Sequence, residues 1–472
     1  MKKRKTKIAC TLGPATDSVE GIAALLEAGA DLFRLNFSHG DRETHRATIR
    51  RIRKVARHAG REVGILQDLG GPKIRLGELA EGGVDLCRGG TVELGVDGKC
   101  AEGVLPVRYD HLLEDVSKGE RILLVDGLVE LEVREVASDR LRCDVIIGGN
   151  VSSRKGVHLP QASLRIASVT EKDHADLEVG IQESVDFVAL SFVRHEDDLA
   201  PVRERLSQLE HPPMLVAKIE KPQAVERLEQ ILAAVDSVIV ARGDLGVELP
   251  SHKVPMVQKQ IIAASRRAGR PVIMATQMLR SMVDSPRPLR AEASDVANAV
   301  LDGTDAMLLS EETAIGRYPT EAVRVLHRVA LEAEAAIDHA RMIADSDSPI
   351  VPELTAAVSR AACELADSID ADAIISTTTS GATSRMVARL RPAAPVLGLT
   401  PFTSVVRQLT VSWGVIAVET EETTDIASLG AGVRKVLAEQ GLEISGNRVV
   451  VTAGLPVGVS GSTNLIRVLE ID

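Results

Sequence analysis

Short, nearly continuous apolar runs that end in polar or charged residues recur eight times, at 7–14, 31–38, 63–71, 185–193, 214–220, 237–245, 271–278 and 305–312. Between most of them the apolar positions switch to a 3.6-residue period, as at 18–28, 43–59, 224–235 and 257–268, which predicts amphipathic helices. Strand and helix alternating eight times, each strand apolar on both faces, predict a (β/α)8 TIM barrel of the α/β class. Two stretches break this rhythm. Residues 73–167 are rich in Gly and Val and alternate at 129–136 and 140–147, which predicts a small all-β lid domain inserted in a loop. After a helix expected at 320–340, an Asp/Ser/Pro stretch at 345–352 reads as a linker. Runs at 371–377, 395–400, 414–418 and 448–453 then alternate with helical segments, which predicts a doubly wound C-terminal α/β domain. The expected division is 1–72 with 168–344 for the barrel, 73–167 for the lid and 345–472 for the C-terminal regulatory domain.

Composition fits that plan, because 472 residues at about 150 per domain give three. Hydrophobic residues make up 44% but aromatics only 2%, so the cores are aliphatic. The five cysteines, Cys10, Cys87, Cys100, Cys143 and Cys363, show no CxxC spacing, which argues against a disulfide or zinc framework and for a reducing cytoplasm. The basic start Lys2-Lys3-Arg4-Lys5 leads into a strand rather than a long apolar stretch, so a solvated tail is expected and neither a signal peptide nor a membrane span. A formal net charge of −11 argues against a nucleic-acid partner, and an anionic substrate would need a locally positive site.

The strand ends supply one. In a barrel they share one mouth, which would gather Arg34, Asn36, Ser38, Asp68, Lys218, Glu220, Asp244, Thr276 and Glu312. Lys218 and Glu220 are two apart on a strand, so their side chains point the same way. One Glu and one Asp are the expected protein share of a Mg²⁺ site, since Mg²⁺ keeps most of its ligands from water and phosphates. Cations beside a magnesium clamp suggest phosphoryl transfer.

Six motifs in this order then carry a family resemblance: Arg34-Leu35-Asn36-Phe37-Ser38-His39-Gly40, Gly71-Pro72-Lys73-Ile74-Arg75, Lys155-Gly156-Val157, Lys218-Ile219-Glu220, Ala241-Arg242-Gly243-Asp244-Leu245-Gly246 and Met274-Ala275-Thr276-Gln277-Met278. Together they closely resemble pyruvate kinase, over nearly the whole chain. The resemblance implies phosphoryl transfer from phosphoenolpyruvate to ADP, giving pyruvate and ATP. It implies Glu220 and Asp244 as ligands of Mg²⁺, with Mn²⁺ a possible substitute, and Gly243 and Thr276 at the substrate carboxylate. Lys218 would lie against the phosphoryl group in flight and Arg34 on its other side, while Arg75 and Lys155, with Asn36 and His39, would serve the nucleotide. Asp126 would swing in from the lid, and Thr276, Ser310 and Glu312 would form a proton relay to the enolate carbon. A homotetramer without membrane attachment is also implied.

Competing readings stand beside these. Lys218 with Glu220, or Arg34 with Asp68, could be structural ion pairs; Val125-Asp126-Gly127 could be an ordinary hairpin turn; Ser310-Glu311-Glu312-Thr313 could be a capped helix start. Glu311 stands where the family usually has Gly. Cation-dependent members bind K⁺ through Asn, Ser, Asp and Thr oxygens and carry Glu where this chain has Lys73; here the matching positions are Asn36, Ser38, Asp68 and Leu69, with Leu76 further on. Lys73 is therefore expected to substitute for K⁺, although cation-independent members usually have Gln at Gly70; a solvent-facing hinge lysine is the alternative. Thr377, Thr378, Thr379, Ser380, Gly381 and Thr383 lie between a strand and a helix, a place suited to cradle a phosphate; the resemblance implies a sugar-phosphate or nucleotide effector there, with 458–463 as a second wall, and helix capping is the plainer reading. With the sequence read to Asp472, the extra C-terminal domain of some bacterial members is expected to be absent. Two other classes compete: a pyruvate-handling lyase using Lys218 as a Schiff-base nucleophile or Glu220 and Asp244 as metal ligands for an enolate, and a non-catalytic phosphometabolite sensor.

Overall fold

The computed structural model describes residues 4–162, 164–421, 436–439, 446–454 and 463–471. Eight parallel strands close into a barrel: β1 (Lys7–Thr11), β2 (Leu32–Asn36), β3 (Gly64–Asp68), β4 (Phe187–Leu190), β5 (Met214–Ile219), β6 (Ser237–Ala241), β7 (Val272–Ala275) and β8 (Ala306–Leu309). Closure is the pairing of β1 with β8, from Lys7 opposite Ala306 to Cys10 opposite Leu309. The strands are buried almost throughout, which is why they read as apolar runs rather than alternations.

Local chemistry sets the helix ends. Ser18 accepts from the Gly21 N–H to cap Val19–Ala28, and Thr170 with Asp173 forms a reciprocal capping box at Glu171–Gln182. Two helices differ from the periodicity. The one expected at 224–235 is broken into Pro222–Glu226 and Leu228–Ala234, because Arg227, whose guanidinium is held by Glu196, leaves helical geometry (φ −105°, ψ 25°). The one expected at 320–340 stops at Glu334, whose carboxylate accepts from the Lys5 and Thr6 N–H groups, and Asp338 caps a new helix at His339.

Between β3 and β4 a six-stranded sheet runs in the order Val157–His158, Arg121–Leu124, Val129–Val136, Leu141–Ile147, Thr91–Val96, Leu105–Val107, around its own apolar core. After the barrel, a second sheet contains β9 (Ala373–Thr377), β10 (Val396–Thr400), β11 (Val415–Glu419), β12 (Arg448–Gly454) and β13 (Thr463–Glu470) in the order β11-β10-β9-β12-β13, with only the last pairing antiparallel. This sheet unit supplies the floor of the barrel. Val411 packs among Ala9, Leu32, Leu66 and Phe187, and a Cβ on Gly64 would stand 2.6 Å from Thr410 Oγ1. The Asp305 carboxylate, just before β8, accepts from Arg391 at 2.8 Å and from the Trp413 N–H at 3.1 Å.

Candidate active site

Register carries the polar residues to one end of the barrel. Asn36 lies opposite Asp68, Asp68 opposite Ala189, and Lys218 opposite Ile239, so β2, β3 and β5 deliver Arg34, Asp68 and Lys218 to neighbouring positions at the mouth. Asp68 is the hub. Arg34 Nε donates to Asp68 Oδ2 at 2.7 Å, and Lys218 Nζ stands 3.4 Å from Oδ1 and 2.9 Å from Glu220 Oε1. Both structural ion pairs foreseen as alternatives are therefore formed, and the contact of Lys218 with Asp68 links them. Burial alone would push the Lys218 ammonium down, but Asp68 and Glu220 outweigh it and hold it above the usual lysine range. A lysine so held stays charged, which suits electrostatic work and disfavours the neutral amine that a Schiff-base lyase needs. Asp68 is held below the usual carboxylate range, since Lys218 and Arg34 more than offset its burial.

Glu220 has the opposite balance. Burial pushes its carboxyl up, and the charge of Asp244 adds to the rise against the pull of Lys218. Its Oε2 accepts from the Phe192 N–H at 2.8 Å, whereas Oε1 is buried and takes no well-aimed donor despite the nearby ammonium. Asp244 sits in the first turn of helix Arg242–Glu248. A buried carboxylate with an open oxygen, beside a second carboxylate whose charge adds to its cost, is a donor set that fits a hard divalent cation. The charges add in the same sense. Arg34 and Lys218 against Asp68, Glu220 and Asp244 leave one negative charge, which a divalent cation would turn into one positive charge.

Thr276 Oγ1 accepts from the Gly243 N–H at 2.8 Å, so the two groups implied at the substrate carboxylate are held on each other. Thr276 and Gln277 both have positive φ (68° and 55°), a strained pair fixed in part by Arg242, which donates to the Thr276 carbonyl at 2.9 Å and is anchored by Asp295. Glu312 is buried and accepts from the Leu279 N–H at 3.0 Å and the Ser310 N–H at 2.7 Å; it orders the loops around Thr276 and Ser310. Ser310 is the N-cap of the short helix Glu311–Ala314, so the helix start foreseen there does form, although the Ser310 side chain makes no capping bond. Glu311 pairs with Arg280 at 2.6 Å, both half exposed.

Asp126 is a turn residue between Arg121–Leu124 and Val129–Val136, with φ 53°, and it also lines a cavity of about 570 Å³ with Arg242, Gly243 and Gln277. The turn reading is therefore what forms, and the turn borders that cavity. Arg75 bridges to Gly156 next to Lys155, and its guanidinium donates to the Arg154 carbonyl at 3.0 Å. Lys73 is exposed, with its Cε beside Gly156 at this hinge, and among the described residues it forms no ion pair with Asp68. Ser38 and His39 are exposed; the His39 carbonyl contacts the His45 ring at 2.8 Å, and Asn36 Oδ1 accepts from the Ser38 N–H at 3.2 Å. In the C-terminal unit Gly381, not a hydroxyl residue, is the N-cap of helix Ala382–Ala388, without a side-chain cap, and Thr463 Oγ1 donates to Thr383 Oγ1 at 3.2 Å. The rest of the expected second wall, 458–462, lies outside the described residues.

Two partners fall outside the sequence expectation. Ser191 Oγ accepts from Lys218 Nζ at 2.8 Å, and Thr11 Oγ1 accepts from Arg34 at 3.1 Å. Both stand at the polar ends of the runs 185–193 and 7–14, which is the signal that marks them.

Comparison with known proteins shows the family. The family description "Pyruvate kinase, barrel domain" matches residues 3–323, and "Pyruvate kinase, alpha/beta domain" matches 356–469. The chain is 43% identical to a pyruvate kinase of Geobacillus stearothermophilus over 478 residues, covering 99% of this chain and 80% of the relative. It is 44% identical to pyruvate kinase 2 of Synechocystis sp. over 470 residues, 98% and 79% of the two lengths.

Proposed function

The chain belongs to the pyruvate kinase family of glycolytic phosphotransferases, and from that premise we propose how this mouth moves a phosphoryl group from phosphoenolpyruvate to ADP. The observation that carries the reading is the Lys218 ammonium held between Asp68 and Glu220, with Asp244 beside Glu220. Glu220 and Asp244 would hold Mg²⁺, or Mn²⁺ in its place, and the ion would supply positive charge that offsets the negative charge of the substrate. Lys218 and Arg34 flank the phosphoryl group, presenting fixed positive charge where negative charge spreads over its oxygens. Thr276 and the Gly243 N–H take the substrate carboxylate, Arg75 and Lys155 with Asn36 and His39 the nucleotide, and Thr276, Ser310 and Glu312 the proton path to the enolate. Closure of the inserted β unit brings Asp126 over the mouth and excludes water that would hydrolyse the donor.

Turnover independent of K⁺ belongs to the same proposal. Leu69 supplies no oxygen where K⁺-dependent members have a hydroxyl, and Lys73 supplies an ammonium instead, swinging from the hinge toward Asp68 as the lid closes. The chain divides at 72/73, 167/168 and 344/345; the loop from Thr377 to Thr383, with Thr378, Thr379, Ser380 and Gly381, takes the phosphate of a sugar-phosphate or nucleotide activator. A cytoplasmic homotetramer is part of the reading. Among the described residues no helix is long and apolar enough to cross a membrane.

The test is pyruvate formation from phosphoenolpyruvate and ADP in tetramethylammonium buffer, with and without K⁺. Turnover that needs Mg²⁺ and is equal in both buffers is expected. Dependence on K⁺ removes the role of Lys73, as does a Lys73→Glu variant that stays active without gaining a K⁺ requirement; no turnover with any candidate effector removes the whole reading.

A further inference from the structure

Glu248 is a carboxylate in an unfavourable place. It is fully buried and ends helix Arg242–Glu248, where the helix dipole already presents negative charge. A buried charge persists only with partners, and its two partners come from separate parts of the chain. Lys221, the residue after Glu220, forms an ion pair with Oε1, and His158 Nδ1 contacts the same oxygen at 3.1 Å. Burial pushes the Glu248 carboxyl up, yet the His158 hydrogen bond and the Lys221 ammonium together hold it below the usual range.

Each partner leads somewhere useful. Asp244 and Glu248 are four residues apart in one helix, hence neighbours on one face. Lys221 is fixed by covalent bonds to Glu220, and its ammonium lies 5.8 Å from the ring centroid of Phe192, the residue whose N–H holds Glu220 Oε2. His158 lies on the strand Val157–His158 through which the inserted β unit returns to the barrel. Gly156, two residues earlier, is flanked by Asp126 and Lys73. One carboxylate therefore ties together the segment bearing Glu220, the helix bearing Asp244 and the hinge. The tie is incomplete: Glu248 Oε2 and His158 Nε2 are buried and, among the described residues, take no hydrogen-bond partner. Polar atoms buried without a partner are costly to fold around.

We propose that Glu248, gripped by His158 and Lys221, is the joint through which the hinge of the inserted β unit sets the spacing of the two metal carboxylates. His158 is thus a positioning residue for the metal site. The proposal rests on the reading of Glu220 and Asp244 as metal ligands, and the experiment separates the two. Binding of Mn²⁺ to each metal-free protein is followed through the electron paramagnetic resonance signal of the free ion, alongside the Mg²⁺ concentration that half-saturates turnover. His158→Leu, which keeps volume and removes the donor, is expected to weaken Mn²⁺ binding about tenfold with kcat at saturating Mg²⁺ within about threefold of the parent. His158→Asn, which restores a donor near the Nδ1 position, is expected to recover most of that loss, and Glu248→Gln to reproduce it. Unchanged Mn²⁺ binding in His158→Leu, or an equal deficit in His158→Asn, overturns the joint. Glu220→Gln is the control: loss of its Mn²⁺ affinity beside an unchanged His158→Leu refutes the joint alone, whereas parental affinity in Glu220→Gln refutes the metal reading and the joint with it.

Discussion

Replacing Lys218 by Met keeps a long apolar stem and deletes one charge from a buried cluster. The distances of 3.4 Å to Asp68 and 2.9 Å to Glu220 give attractions of ~5 and ~6 kcal/mol at an effective dielectric of about 20. Part of that is returned, because the ammonium no longer has to be desolvated, and breaking a buried pair costs a net of about 3–5 kcal/mol. Arg34 still covers Asp68, so Glu220 bears the loss. Its carboxyl, already raised by burial and by Asp244, is pushed up further. A raised carboxyl makes the folded protein hold a proton that the unfolded chain releases. The associated stability is present below the ordinary glutamate value of about 4.3 and is lost as pH rises through the folded value. The melting-temperature deficit of Lys218→Met relative to the parent, measured without metal, is therefore expected to be larger at pH 8 than at pH 5. Turnover at saturating phosphoenolpyruvate and Mg²⁺ is expected to fall about 10³-fold, the upper range for losing one preorganised electrostatic group. A deficit that grows toward low pH, or turnover within tenfold of the parent, would refute the reasoning.

Two further outcomes concern the floor of the barrel. Arg391→Met removes the donor to the Gly303 carbonyl and to Asp305; leaving that buried carboxylate short of its charge partner is expected to cost about 3–5 kcal/mol in urea unfolding. Gly64→Ala places a methyl group 2.6 Å from Thr410 Oγ1 and 2.8 Å from Phe187 Cε2, so an overpacking loss of about 1–3 kcal/mol with an unchanged m-value is expected.

The eight barrel strands were legible because a strand buried on both faces has no polar alternation to confuse with anything else, and their polar ends pointed to Asp68, Lys218 and Glu220. Helix interruptions were less legible. The break at Arg227 depends on Glu196, 31 residues away, and the stop at Glu334 on backbone donors at Lys5 and Thr6, at the other end of the chain. The same limit hid Glu248. No motif or periodicity marked it, and only the fold brings His158, 90 residues away, onto its carboxylate. Periodicity reports which face is buried, and says nothing about which distant charge meets it there.

The floor supplied by Val411 and Trp413 also fixes an order of events during synthesis. β1 starts at Lys7 and waits for β8, which ends at Leu309, before the barrel closes, and the apolar cluster around Ala9, Leu32 and Phe187 waits for Val411 before it is covered. At translation speeds of about 5–20 residues per second, a nascent chain carries that open floor for roughly 20–80 s. Throughout that interval the exposed patch is a target for chaperones and for other nascent copies. A ribosome that stalls beyond Leu309 and short of Val411 would release a closed ring of strands without its base.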